Sequence, residues 1–314
     1  MTRPLVLFTD ETDLDPVPGR TLLEDAGCDT VLADLPVGDG VQELPDGAER
    51  AVGLVVGYAR IDKPLLDRLP DVGVIATMSA GTDMIDGEEA ARRGIRVVNL
   101  TSAATEEVAA HALTLALAVE RHLRESLRVT AEGGWTDDVD AVPRRLSGLT
   151  LGLYGFGRIA RRLAEIAGPL VGRVIAHDPY VETAPDGVEL VDPDRLLEES
   201  DILSLHLPLT EDTRGVVDAA ALARMRRGST LVNVSRGELV VVDDLAAALD
   251  SGQLTGAGLD VLLGEPPAAD APERTDPRIL VTPHVAFLSE GSLEHYVLDP
   301  ARNVLDWLHS SGRL

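Results

Sequence analysis

The sequence predicts an α/β protein of two domains, with parallel β-sheets covered on both faces by helices. Three observations predict it. Short apolar runs alternate with helical patterns along most of the chain, and a strand that is apolar throughout belongs to a sheet buried on both sides. One strand-to-helix junction carries a glycine-rich turn at residues 155–160. The chain has 314 residues, enough for two domains at ~100–200 residues each.

Taken in order, the runs 5–8, 52–56, 72–76 and 97–100 read as buried strands, with amphipathic stretches such as 20–27 and 87–93 between them. A long helix is expected over 104–124. Thr101, Ser102 and Thr105 are its capping candidates, and Glu106 and Glu107 suit the positive end of its dipole. Residues 132–143 are polar, include Gly133, Gly134 and Trp135, and read as loop. The alternation resumes with strands at 150–154, 174–177, 202–205, 230–234, 256–261 and 279–282, and a helix at 158–167. The terminal stretch 289–314 is helical and outlasts this second run, so it is free to pack elsewhere.

Composition narrows the function. Net charge is -25, from 28 basic and 53 acidic residues, which argues against nucleic acid and anionic membranes, since both need a basic footprint. Lys63 is the only lysine, a compositional trait rather than a chemical one. Aromatic residues are 3%, too few for base-stacking platforms. Cys28 is the only cysteine, so neither an internal disulfide nor a cysteine metal cluster is expected. No apolar run approaches the ~18 residues that cross a bilayer, and the first residues turn acidic too soon for a signal peptide. A cytoplasmic protein is expected.

Gly155, Gly157 and Ala160 fit G-x-G-x-x-A between a strand and a helix. The second glycine lets the backbone approach a pyrophosphate, and the helix N-terminus offers it unpaired N–H groups. Asp178 ends the next strand, where a carboxylate hydrogen-bonds the adenosine ribose. It would repel a 2′-phosphate, and Pro179 and Tyr180 follow it rather than an arginine, so NAD is expected over NADP. Four further segments end apolar runs in polar groups: 204–210, 232–237, 256–261 running on to 265–267, and 281–287. Singly each reads as structural. Together they fall at consecutive strand ends, where open α/β sheets hold ligands.

The segments GLYGFGRIA, AHDPY, LHLPLT, VNVSRGELV, GAGLDV with GEPP, and VTPHVAF resemble, in order and spacing, the D-isomer-specific 2-hydroxyacid dehydrogenase family. The likeness runs from about Ser79 to Asn303, and earlier residues match only in pattern. It implies a Rossmann-type doubly wound domain over 101–287 and a flavodoxin-like α/β substrate domain built from both chain ends, 1–100 and 288–314, with the active site in the cleft. It implies hydride transfer between NAD(H) and the α-carbon of a small 2-oxo or 2-hydroxy acid, no metal, and a homodimer joined through the nucleotide domains; the apolar run 109–119 would serve that contact.

Carried over residue by residue, His284 matches the family's acid/base, Glu265 its partner and Arg236 its substrate-binding arginine. Histidine suits a proton donor working near neutral pH, and arginine grips a carboxylate bidentately. Ser79, Ala80 and Gly81 look like the loop whose N–H groups complete the substrate site. Arg158 and Ile159 match positions at the pyrophosphate, and Asp178 the one at the ribose. Leu207, Val234, Ser235 and Arg236 flank the nicotinamide half with His284, Asp260 sits near its carboxamide, and Thr105 is a further cofactor candidate. His206 is the rival proton donor, although its family counterpart only lines the cofactor cleft. His111 reads as a packing or dimer-contact residue, His122, His295 and His309 as surface or interface residues, and Trp135 and Trp307 as packing residues. Two departures, the loop MSAGTDMID and the residues Phe287, Leu288, Ser289 and Glu290, fall where a substrate side chain would go. A formate dehydrogenase is disfavoured by Glu265, and a methyltransferase by Arg236, Glu265 and His284. The alternative from another class is a non-catalytic, NAD(H)-sensing, corepressor-like scaffold of the same family.

Overall fold

The computed structural model describes residues 3–10, 14–36 and 43–314. They form two compact units, one holding the described residues up to Ala103 with Leu288–Leu314, the other Ala104–Phe287.

In the first unit the elements are β1 (Leu5–Phe8), α1 (Val17–Asp25), β2 (Asp29–Leu32), β3 (Ala51–Val56), α2 (Lys63–Asp67), β4 (Val74–Thr77), α3 (Gly87–Arg92) and β5 (Arg96–Val98). The strands make one parallel sheet in the order β2-β1-β3-β4-β5. All four side chains of β1 and of β4 are buried, as a sheet covered on both faces requires. Asp62 and Asp86 cap α2 and α3 by accepting N–H bonds from Leu65 (3.1 Å) and Glu89 (2.9 Å). The sequence reading had no strand at β2. Its residues are only half-buried at the sheet edge, so the apolar run that marks a central strand is missing.

The second unit contains α4 (Thr105–Glu120), α5 (Leu123–Ala131), β6 (Thr150–Tyr154), α6 (Arg158–Ala167), β7 (Arg173–His177), β8 (Val188–Leu190), α7 (Pro193–Glu199), β9 (Ile202–Leu205), α8 (Ala219–Arg224), β10 (Ser229–Asn233), α9 (Val242–Asp250), β11 (Leu254–Leu259), α10 (Pro272–Thr275) and β12 (Ile279–Val281). Its seven strands are parallel in the order β12-β11-β10-β9-β6-β7-β8. The direction of winding reverses between β6 and β9, and doubly wound sheets bind ligands at the carboxyl ends of such a pair.

The expected helix 104–124 is two helices. His122, at φ 48°, ends one and opens the other. Its carbonyl accepts from Ser126 N–H at 3.0 Å, and the Arg124 guanidinium ties the start of α5 to the carbonyls of Asp276 and Ile279. None of Thr101, Ser102 and Thr105 caps α4. Ala104 holds the cap position without a side-chain bond, and Thr105 is the first helical residue. Within the apolar run 109–119, Ala109, Ala112, Leu115, Ala116 and Ala118 are buried in their own unit, while Leu113, Leu117 and Val119 are half-buried. Close packing is enforced from the sheet side, since a Cβ on Gly258 would lie 2.8 Å from Leu115 Cβ, and one on Gly256 2.7 Å from a Val119 methyl.

The last helix, α11 (Glu290–Ser310), belongs to the first unit. Ser289 and Ser292 close a reciprocal cap at its start. It lies on the sheet where glycines leave room. A Cβ on Gly73 would fall 2.2 Å from the Trp307 ring, and one on Gly53 3.1 Å from Val304.

Candidate active site

The glycine turn is built from two different constraints. Gly155 has φ 89°, and a Cβ there would lie 2.5 Å from the carbonyl oxygen of His206. Only glycine satisfies both the left-handed backbone and the approach of β6 to β9. Gly157, the N-terminal cap of α6, meets nothing within 4 Å, so the protein's own packing gives no reason for a glycine. An anion drawn onto the exposed N–H groups of α6 does. That helix start has no side-chain cap, and Arg158 and Ile159 are its first residues. Ala160 is fully buried. Asp178 follows β7; its two oxygens accept N–H bonds from Phe156 and Tyr180, each at 2.9 Å. Each oxygen keeps further acceptor capacity. This set fits the adenosine and pyrophosphate half of NAD.

The rest of the predicted set lies along the same carboxyl edge, past the reversal. Leu207 and Val234 are buried after β9 and β10. The turn after β10 is braced by its own polar groups: Ser235 N–H to Asn233 Oδ1 at 3.0 Å, Asn233 Nδ2 to Arg236 O at 2.7 Å, and Ser235 Oγ to Leu205 O at 2.9 Å. Gly237 then packs on the segment that carries Glu265, where a Cβ would sit 2.1 Å from the Leu262 carbonyl carbon. Arg236 is thereby set beside the Glu265 turn.

Glu265 uses both oxygens. Oε1 accepts from Leu262 N–H at 2.7 Å, which fixes the turn, and Oε2 lies 2.5 Å from His284 Nδ1. The two side chains are 32% and 36% exposed, shielded yet reachable. Burial disfavours the imidazolium, but the hydrogen bond and charge of Glu265 outweigh it, and His284 is held above its ordinary value; the Arg236 charge pulls the other way. With Nδ1 engaged, Nε2 is the nitrogen left for a substrate. His284 has φ 53°, a left-handed conformation that costs a non-glycine residue ~1–2 kcal/mol and persists where neighbours over-determine it. Here its N–H is shared by Asp260 O (2.8 Å) and Thr282 O (3.0 Å).

His206 behaves oppositely. Its Nε2 lies 2.9 Å from Ser204 Oγ, and burial pushes its pKa down to about 4. Burial thus disfavours the charged form of His206, whereas Glu265 favours that of His284.

One expectation needs revision, the packing role of Trp135. His111 has internal partners: its Nε2 is 2.9 Å from Thr282 Oγ1 and 3.4 Å from Asp260 Oδ1. Asp260, 1% exposed, is an internal acceptor for Thr282 Oγ1 (2.6 Å), Val285 N–H (3.0 Å) and Ala286 N–H (2.9 Å). Burial raises its pKa, but the bonds from His111, Thr282, Ala286 and Val285 prevail and hold it below the usual carboxylate range. Trp135 is 75% exposed, whereas Trp307 packs on Gly73 as expected. Thr105 stands at the start of α4, as its first residue. Ser79, Ala80 and Gly81 follow β4 in the first unit. Sequence reasoning missed Thr282 and His111. The available signals were a hydroxyl two residues before His284 and a histidine within an otherwise apolar helix.

Among the described residues no group of three or more His, Cys, Asp or Glu could hold a metal ion, and no helix is long and apolar enough to cross a membrane. The family model described as D-isomer specific 2-hydroxyacid dehydrogenase, NAD binding domain, matches residues 113–286. A glyoxylate reductase of Thermofilum pendens is 32% identical over 314 residues, covering 97% of this chain and 91% of the relative. An (S)-sulfolactate dehydrogenase of Chromohalobacter salexigens is 36% identical over 262 residues, covering 82% and 84%. The D-lactate dehydrogenase of Aquifex aeolicus, solved with NAD and lactic acid, superposes with a TM-score of 0.86 at 26% identity, covering 97% of this chain and 96% of that one.

Proposed function

The chain belongs to the D-isomer-specific 2-hydroxyacid dehydrogenase family, and from that premise we propose that Arg236, Glu265 and His284 carry its reaction. The protein is an NAD-dependent oxidoreductase of small 2-oxo and 2-hydroxy acids. The observation that carries the residue assignment is the 2.5 Å contact of His284 with Glu265, with the raised histidine pKa. NAD, held through its pyrophosphate at the glycine turn, would supply the hydride. In reduction, His284 Nε2 delivers a proton to the carbonyl oxygen as negative charge develops there. Glu265 holds the imidazole in one orientation and favours its charged form. Arg236 pairs with the substrate carboxylate and polarises the carbonyl. In the first unit, the proposed role of Ser79, Ala80 and Gly81 is to offer their N–H groups to an anion. In support, the three carbonyls of that loop are already taken by Leu100 N–H and Thr77 Oγ1, Asn99 Nδ2, and Ser79 Oγ, so N–H groups are what it can offer an anion. Gly155, Gly157, Arg158, Ile159 and Asp178 hold the adenosine side of the cofactor. Leu207, Val234 and Ser235 line the nicotinamide side, with Asp260 behind it and Thr105 at the margin.

The test is NADH oxidation with glyoxylate, hydroxypyruvate, pyruvate and sulfopyruvate, with NADPH in parallel. Turnover of at least one acid, with higher kcat/KM for NADH, is expected. Binding of NADH with no turnover of any acid would instead favour the sensing scaffold, which the named relatives do not favour. Asp178→Ala should narrow the NADH preference by roughly tenfold or more, since two unit charges 4 Å apart near a protein surface repel by ~4 kcal/mol. An unchanged ratio would remove Asp178 from cofactor choice.

The protein forms a cytoplasmic homodimer in this reading. The support is a run of exposed large apolar side chains on and after α5: Leu123, Leu127, Trp135 and Val142, the last two 75% and 89% exposed. Single exposed apolar residues are ordinary, and the dimer reading takes these four as parts of one interaction surface. Light scattering at micromolar concentration should give two chains per particle, and Trp135→Asp should shift the population to one. A stable monomer of the unchanged protein would refute the assembly.

A further inference from the structure

We propose that His111 and Thr282 are positioning residues for His284, acting through Asp260; the inference rests on the assignment of His284 as the proton donor. The chain of contacts is unbroken. Thr282 Oγ1 gives its proton to Asp260 Oδ1 at 2.6 Å. A hydroxyl has one proton, so at the 2.9 Å contact with His111 it must accept, and His111 Nε2–H donates. The Asp260 carboxylate then takes the N–H groups of Val285 and Ala286 at 3.0 and 2.9 Å, while the Asp260 carbonyl takes that of His284 at 2.8 Å. Three consecutive amides, 284–286, thus end on one residue. That residue is gripped from α4 by a side chain 171 positions from Thr282. His284 stands at φ 53°, where its ring direction depends on these bonds and not on an intrinsic preference.

Packing alone predicts the reverse of a hydrogen-bond relay. If Thr282 only fills space, Thr282→Val keeps the shape and is harmless, whereas Thr282→Ser loses a methyl and is the worse change. A relay predicts that Thr282→Ser retains function and Thr282→Val loses it. Likewise His111→Gln, which keeps an N–H donor on a polar side chain, should outperform His111→Leu. Misorienting a reacting group by about 1 Å costs roughly 10²-fold, and losing a supporting hydrogen bond 10–100-fold. Thr282→Val and His111→Leu should therefore each lower kcat for 2-oxo acid reduction by about 10–100-fold, with KM within about threefold. The double variant should be somewhat worse than either, because His111 Nε2 also lies 3.4 Å from Asp260 Oδ1, so each single variant leaves one arm of the hold on Asp260.

A second measurement does not depend on turnover. Amide hydrogen exchange over 284–286 in the cofactor-free protein should quicken at least about tenfold in Thr282→Val and His111→Leu, and stay near wild type in Thr282→Ser and His111→Gln. Wild-type exchange and wild-type kcat in Thr282→Val would overturn the relay, as would a Thr282→Ser chain that loses as much as Thr282→Val. An unchanged protein that turns over no 2-oxo acid would sink the functional reading, while the exchange rates would still decide whether His111 and Thr282 hold this segment.

Discussion

Arg236→Ala is expected to lower kcat/KM for 2-oxo acid reduction by about 10²–10³ while leaving the fold in place. Removing one partner of a desolvated charge pair costs ~3–5 kcal/mol, and each ~1.4 kcal/mol is tenfold in rate; a site open to solvent sits at the lower end. The fold should survive because the turn is braced by other groups. The Arg236 carbonyl is held by Asn233 Nδ2 at 2.7 Å, and Gly237 packs on Leu262. Arg236→Lys keeps the charge without the planar fork and should recover only part of the loss. A second signature separates this role from damage to the site. The Arg236 charge depresses the His284 pKa, so its removal should move the alkaline limb of the reduction profile to higher pH. Wild-type kcat and KM in Arg236→Ala would mean that this guanidinium is not the substrate clamp.

The strand-end residues were legible because local chemistry writes them into the sequence. A glycine that must hold φ 89° against a neighbouring carbonyl is also a glycine in a recognisable pattern, and α6 begins and ends where that pattern places it. Central strands such as β6 and β9 are apolar because both their faces are covered. Edge strands are not: β8 spans three half-buried or exposed residues, and nothing local distinguishes it from a loop. The break at His122 was missed for a related reason. No glycine or proline marks it; the left-handed turn is sustained by the carbonyls that Arg124 reaches on a distant segment. His111 shows the same limit at the site. On its own helix it is one polar residue in an apolar run, and its partners, Asp260 and Thr282, stand just past the ends of β11 and β12. The apolar run 109–119 is broader than one helix face, and part of that breadth is used inside its own unit, against Gly256 and Gly258. Beyond that run, Leu123, Leu127 and Trp135 are exposed.

His284→Gln should lower kcat for reduction by about 10²–10⁴, the usual worth of general acid catalysis, and should abolish the pH limb that His284 produces. In the unchanged protein the sign follows from which form works. Reduction consumes the imidazolium, and Glu265 holds His284 above the ordinary ~6.5. So kcat/KM for reduction should be level at low pH and fall as pH rises through that raised value. Oxidation needs the neutral ring, and its rate should fall as pH drops through the same value. Glu265→Gln retains an acceptor of the same shape but removes the charge, so the imidazolium loses its main support while burial still disfavours it. The His284 pKa should fall, carrying the alkaline limb of reduction to lower pH and widening the range in which oxidation is active. If Glu265 were merely a solvated loop residue, its carboxylate would be worth little to the imidazole and the limb would stay in place. The 2.5 Å contact and the second anchor of Glu265 on Leu262 N–H argue that it moves. Coincident limbs for Glu265→Gln and the unchanged protein, measured where chemistry limits the rate, would dissolve the pair and with it the assignment of His284 as the proton donor.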